Sequence, residues 1–293
     1  MIDPVLAYYD MSPHVVAFSS TRKGGCSEGN YKGFNVNLYC GDNPAHIAAN
    51  RRALCHLLKI DEERLFMPHQ VHGTEVRRID EPFLSLSAQE RAVCLEGVDA
   101  VMTRLRGVCI GVSTADCVPI LLYDAEHHAA CAIHAGWRGT VARIAEKAVT
   151  AMQQAYGTQP SQLIATIGPS ISLDSFEVGN EVYEQFAASG FTMEQIARQY
   201  PPISGTKQHQ QSITTHHPTP NTHNPSTPTT QHPSPKWHLD LWKCNQQQLV
   251  STGIKKANIQ VAGICTYQHS DEYFSARKLG IDSGRILTAI LLK

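Results

Sequence analysis

The stretch Ala129–Val149, AACAIHAGWRGTVARIAEKAV, decides how this chain is read. It opens as a small apolar strand, Ala129 to His134, with an ionisable imidazole at its end. It then turns through Gly136, Trp137, Arg138 and Gly139 into a helix expected over Thr140–Tyr156, with Gly157 as the stop. A strand that runs into a Gly-flanked turn and a helix lifts side chains and backbone N–H groups clear of the sheet edge. Chains commonly place reactive groups at such turns.

Working outward, apolar runs predict further strands at Val108–Ser113, Val118–Tyr123, Leu163–Ile167, Ile259–Cys265 and Ile286–Leu292. Apolar residues at i, i+3 and i+4 predict helices at Ala45–Leu58, Val178–Ala188 and Leu239–Thr252. The short connection YDAEHHAA joins two strands as antiparallel neighbours, whereas HAGWRGTVARI is a strand-to-helix step. The expected class is therefore α/β (α+β), with a mixed, largely antiparallel sheet covered by helices rather than a doubly wound parallel one. No repeat and no second domain is evident, so residues 1–293 read as a single catalytic domain.

The 293 residues are 42% hydrophobic, and 25 basic side chains nearly balance 26 acidic ones, so no electrostatic case exists for binding nucleic acid or anionic lipid. Neither a basic, apolar leader nor an uncharged apolar run of about 18 residues is present, and the expectation is a cytoplasmic chain without a membrane span. The nine cysteines contain no CxxC pair, a usage that suits a reducing compartment. From Gly205 to Lys236 the composition collapses to Thr, Pro, His, Gln, Asn and Ser with one Ile. Such a segment cannot bury enough apolar surface to offset its conformational entropy and is expected to be a disordered insertion.

Three polar positions stand out against apolar or tightly turning sequence: the pair His69 and His72 in FMPHQVHGTEV, Cys117 in GVSTADCVPILLYD, and His134. Cysteine with histidine serves either as an imidazole-activated nucleophile or as a soft N,S ligand set for a metal. Two His and one Cys would suit Zn²⁺ with an open fourth position, and Cu²⁺ competes at N-rich sites. Residues three apart in extended backbone face opposite ways, so the alternation admits one of His69 and His72 to the site without saying which. Asp116 and Asp99 are candidate acid/base or supporting carboxylates. Trp137 reads as packing beneath the turn rather than as a stacking surface.

The segments HQVHGTEV, STADCVPILLYD, AIHAGWRGTVARI, GPSISLDSFEVGNEVYEQF and CTYQHSDEYFSARKLGIDSGRILTAILL, together with STRKGGCSEGNYKGFNVNLYCGDNP, closely resemble the YfiH-type family, also called laccase-domain or multicopper polyphenol oxidase-like proteins. The resemblance implies one domain with α/β/β/α layers and a zinc site built from His72, Cys117 and His134. It also implies a purine nucleoside phosphorylase that cleaves adenosine, inosine, guanosine and methylthioadenosine with phosphate, with adenosine deaminase activity besides. Many relatives carry cysteines where this chain has Ser170, Leu173, Asp174 and Ser175. Phosphate partners are sought at Arg22 and Lys23 in the Gly-rich TRKGG turn, at Arg138 and at Arg277. The alternative is a copper-dependent polyphenol oxidase. A multicopper cluster uses HxH pairs, however, and none occurs outside the low-complexity tract.

Overall fold

The computed structural model describes residues 3–200 and 236–293. The expected insertion lies outside the described residues except for its last member, Lys236, which begins the strand Lys236–Leu239.

Two sheets stack face to face. The five-stranded sheet runs Leu6–Tyr9, Val15–Ser20, Ile286–Leu292, Cys109–Thr114, Leu65–Phe66 from edge to edge. The six-stranded sheet runs Ile259–Val261, Ile164–Ile167, Val118–Asp124, Ala129–Ala135, Ala100–Thr103, Val76–Ile79. Its interior pairs are antiparallel and both outer pairs parallel. This is the mixed sheet that the connection lengths predicted. A small antiparallel sheet of Glu177–Val178, Lys236–Leu239 and Ala197–Tyr200 is, among the described residues, hydrogen-bonded to neither, and its Val178, Ala197 and Leu239 join the core on the helix side of the six-stranded sheet.

Every residue of Val118–Asp124 and Ala129–Ala135 is buried, because both faces of these strands are covered. Alternation assigns the faces. Ile120, Leu122, Cys131 and Ile133 pack under the helices Ile144–Tyr156 and Leu241–Ser251. Leu121, Tyr123, Ala130 and Ala132 meet Val112, Ile110 and Ile290 of the other sheet. On that sheet's far face, Phe18, Leu287 and Ala289 pack against Leu54 and Cys55 of the helix Pro44–Leu58. The layers are therefore helix, sheet, sheet, helix.

Pro44 at the first helical position and the Asn43 side chain, which accepts from the Ala45 amide at 2.9 Å, start the Pro44–Leu58 helix. Asp240 does the same for Leu241–Ser251, accepting from the Lys243 amide. The helix expected over Thr140–Tyr156 is instead two, Trp137–Val141 and Ile144–Tyr156, separated where Arg143 takes a left-handed conformation at φ 64°. Its guanidinium lies 4.1 Å over the Phe191 ring and donates to the Ser189 carbonyl at 2.6 Å, contacts that hold the break. The strand expected to reach Cys265 stops at Val261, just before Gly263 at φ 67°. All nine cysteines are free thiols, five of them buried. Among the described residues, no helix is long and apolar enough to cross a membrane.

Candidate functional site

Alternation also carries the chemistry. Pro119 pairs with His134, and Ala100 with Ile133 on the other side of the same strand. Asp99, one residue beyond Ala100, therefore comes opposite His134, and Cys117, two residues beyond Pro119, comes next to them at the same end of the six-stranded sheet. The His134 amide donates to the Asp99 carbonyl at 2.8 Å and fixes the row. By parity, His134 and Cys117 fall on the face turned toward the other sheet, where the interface opens into a cavity of about 290 Å³. Ser113 and Thr114, at the end of the facing strand, line it too.

The third group arrives on a turn. His72 sits at φ 62°, a left-handed conformation that a non-glycine residue adopts only when its surroundings hold it there. The Asp99 carboxylate does the holding. It accepts from the backbone amides of Val71 at 3.3 Å, His72 at 3.0 Å and Gly73 at 2.7 Å, and from the ring of His134 at 2.8 Å. One buried carboxylate thus ties the histidine turn to the histidine strand. Gln70 ties the same turn to the other sheet, donating to the Ser113 carbonyl at 2.8 Å and accepting from its amide at 2.7 Å.

His72, Cys117 and His134 each present a donor atom, and these atoms all lie within 4.8 Å of one another. His72 Nε2 is 3.8 Å from Cys117 Sγ, close to the roughly 3.6 Å that separates an N and an S ligand across a tetrahedral zinc ion. His134 uses Nδ1 for Asp99, leaving Nε2 to face the cluster, the arrangement that carboxylates impose on metal-binding histidines. Gly136 forms the floor. A Cβ there would fall 2.8 Å from His72 Cδ2 and 3.1 Å from Cys117 Sγ, so only glycine leaves the cradle open. His134 is buried, Cys117 half-buried and His72 exposed, so the cluster opens toward solvent on one side. The donor set and the cradle both fit a zinc ion.

The charges fit as well. Burial alone would push the Cys117 thiol up, but the His134 and His72 imidazoles outweigh it and bring the thiol down to about 6. Burial would likewise lower His134; Cys117 and Asp99 overcome that and raise it to about 9. Burial works against ionised Asp99 too, yet His134 and the Gly73 and Val71 amides hold its carboxyl below the usual range.

Both histidines that alternation left open line the cavity, but only His72 meets Cys117 and His134. His69 gives its Nδ1 to the Glu96 carboxylate at 2.7 and 2.9 Å and stacks on Tyr39, ring centroids 4.1 Å apart. Asp116 does not line the cavity. It accepts from the Thr266 hydroxyl and the Arg277 amide, both at 2.7 Å, and so anchors two loops. Trp137 packs against the helix-side core, as read, with Arg138 lying 4.3 Å over its ring. Arg22 and Lys23 border a separate cleft, where Lys23 pairs with Glu272 at 2.6 Å. Arg277 donates to the Glu177 carbonyl at 3.0 Å. None of these four cations lines the cavity, whereas Arg285, which the sequence reading did not single out, does.

Comparison with known proteins agrees with this architecture. The chain matches the family described as multi-copper polyphenol oxidoreductase laccase over residues 16–211 and 206–293. It is 42% identical over 290 residues to a purine nucleoside phosphorylase of Bacteroides thetaiotaomicron, covering 98% of this chain and 96% of that one. It is 39% identical over 279 residues to adenosine deaminase RL5 from an unknown prokaryotic organism, covering 95% and 94%. The hypothetical protein YfiH of Bacillus licheniformis has the same fold, with a TM-score of 0.81 at 24% identity across 99% of this chain and 97% of that one. Matched along nearly its whole length, the chain belongs to the multi-copper polyphenol oxidoreductase laccase family.

Proposed function

We propose that this chain is a zinc-dependent purine nucleoside phosphorylase that cleaves adenosine, inosine, guanosine and methylthioadenosine with phosphate, and that the same site deaminates adenosine. The observation that carries the reading is the convergence of His72, Cys117 and His134 over Gly136. The names of the two relatives above supply the substrate class.

Held by those three side chains, a zinc ion supplies Lewis acidity and, against a single thiolate, a residual positive charge. The protein's own residues do the rest. Asp99 keeps the His134 proton on Nδ1, and the two imidazoles keep Cys117 ionised. The cavity, at about 290 Å³, lies just below the roughly 300–1,000 Å³ range for ligand sites. Tyr39 and His69 present a stacked pair of flat rings at its wall, a surface suited to a purine. Phosphorolysis breaks the C1′–N9 bond and forms C1′–O to phosphate, releasing the base with its electron pair. Deamination instead forms a C6–O bond to water and breaks the C6–N bond, releasing ammonia.

The second reading, a copper-dependent polyphenol oxidase, draws on the family's description and on the same ligands. Among the described residues one group has metal-binding spacing, which provides for a single ion rather than a cluster. The test is hypoxanthine release from inosine, with and without phosphate, on protein of measured metal content. Zinc with phosphate-dependent release supports the phosphorylase. Copper with O₂ uptake on a phenol and no base release supports the oxidase. Cys117→Ala is expected to lose both the metal and turnover while keeping its fold by circular dichroism; retention of full nucleoside cleavage would show that the ligand assignment is wrong.

A further inference from the structure

We infer that Arg285 is the residue that binds the phosphate co-substrate, an assignment that rests on the phosphorylase reading above. A phosphorylase must hold a dianion beside C1′ in the cavity that takes the nucleoside. Among the described residues, Arg285 is the one Lys or Arg that lines the cavity with His72, Cys117 and His134. None of the ion pairs among the described residues involves it. Its charge is therefore available to a ligand, unlike that of Lys23 beside Glu272.

The guanidinium is also aimed. Nη1 donates to the carbonyls of Ser283 and of Gly284, the latter at 3.0 Å, and Nη2 donates to the Ile281 carbonyl at 2.8 Å. Three of its five N–H groups are thereby satisfied. Nε–H has no partner among the described residues, and it lies on the edge of the planar fork that it shares with Nη2, an edge that matches two oxygens of a phosphate. The backbone is fixed as well. The Arg285 amide donates to Asn35 Oδ1 at 3.1 Å, and the buried strand Ile286–Leu292 begins at the next residue. A side chain already ordered by three carbonyls loses little entropy on binding, which favours capture of a small anion.

The same carbonyl contacts could serve only to tie down the 281–284 loop, so the test must separate the two roles. In Arg285→Gln, the KM for inorganic phosphate in inosine cleavage should rise about 10- to 100-fold, the worth of a charge-assisted pair of hydrogen bonds. The KM for inosine, which carries no phosphate, should stay within about threefold. Arg285→Lys, which keeps the charge and loses the fork, should fall between the two. A purely structural role would lower melting temperature without splitting the two KM values. An unchanged phosphate KM in Arg285→Gln overturns the assignment. Should the variants not fold, phenylglyoxal labelling of the wild-type protein followed by mass spectrometry decides: inorganic phosphate should slow modification at Arg285, and equal labelling with and without phosphate overturns it. If the wild-type enzyme shows no phosphate-dependent base release, the phosphorylase reading fails by itself, and the labelling result still tells whether Arg285 holds phosphate.

Discussion

Replacing Asp99 with Asn keeps the shape of the side chain and removes one acceptor oxygen. Oδ1 serves the His72 amide at 3.0 Å and the His134 ring at 2.8 Å; Oδ2 serves the Gly73 amide at 2.7 Å and the Val71 amide at 3.3 Å. Asn has two ways to fit. With its oxygen on the His72 and His134 side, the ring keeps its tautomer, but the Gly73 and Val71 amides both face an NH₂ group. With its oxygen on the Gly73 and Val71 side, only the His72 amide is orphaned, because the His134 ring can move its proton to Nε2 and accept at Nδ1 instead. The second costs the fold less, about 1–3 kcal/mol for one buried unsatisfied N–H. It is also the form that cannot offer Nε2 to zinc. Binding metal then requires a return to the costlier arrangement, and zinc affinity should fall by about 10- to 100-fold. Chelator competition would measure the affinity, and denaturant unfolding of the metal-free protein would measure the stability. A stability loss under about 0.5 kcal/mol together with wild-type zinc affinity would refute the claim that this carboxylate sets both the turn and the tautomer.

Gly136→Ala meets no backbone obstacle, since Gly136 lies at φ −62°, yet its Cβ would force the His72 ring back by about 0.6 Å to regain 3.4 Å. Metal–ligand distances tolerate about 0.2 Å. Calorimetric titration should show zinc affinity reduced at least tenfold, while the melting temperature of the metal-free protein stays near that of the wild type. Away from the site, Asp124 is buried, and burial opposes its ionisation; the Thr158 hydroxyl, followed by the amide and ring of His127, outweighs this, and its carboxyl is held below the usual range. Its stabilising contribution is therefore complete above the unfolded value of about 3.9 and is lost as pH falls through the depressed folded value. Urea unfolding of Asp124→Asn across pH 2–6 should show lower stability than the wild type at pH 6 and a shallower decline below about pH 4. Parallel wild-type and variant curves would contradict it.

The sequence and the structure agree where local pattern governs. The central strands of both sheets are continuous apolar runs because they are covered on both faces, and their bounds differ from the expected ones by one residue at most. Agreement ends where a residue without a local signal takes a left-handed conformation. Nothing in TVARIAEK marks Arg143 as a break, since the contacts that hold it come from Phe191 and Ser189, about fifty residues on. The choice between His69 and His72 fails for a related reason. Alternation presumes extended backbone, and His72 at φ 62° does not provide it. Two of the sought phosphate partners, Arg22 and Lys23, followed the Gly-rich TRKGG turn, whose glycines answer to backbone crowding: a Cβ on Gly25 would fall 2.6 Å from the Gly33 carbonyl oxygen. That crowding says nothing about where an anion sits.

Why a buried aspartate should stand at the centre of this site follows from its neighbours. Three successive amides, from Val71 to Gly73, point to one side of the turn and make a concavity that favours an anion. Left to water or to a stray ligand, that concavity would leave His72 free to relax out of a conformation that costs about 1–2 kcal/mol. Filling it with a carboxylate from the strand beside His134 joins two requirements in one contact: the turn is locked, and the proton on His134 is placed. The histidine on a strained turn and the histidine on a rigid strand then keep a fixed separation before any ion arrives. A metal-binding loop organised only by its metal would lose its geometry on chelation. Here Asp99 gives all three amides a protein acceptor, and hydrogen exchange of the Val71–Gly73 amides is expected to stay slow in the metal-free protein. Fast exchange at those three amides on zinc removal, with the sheet amides still protected, would mean that the metal and not the carboxylate builds the turn.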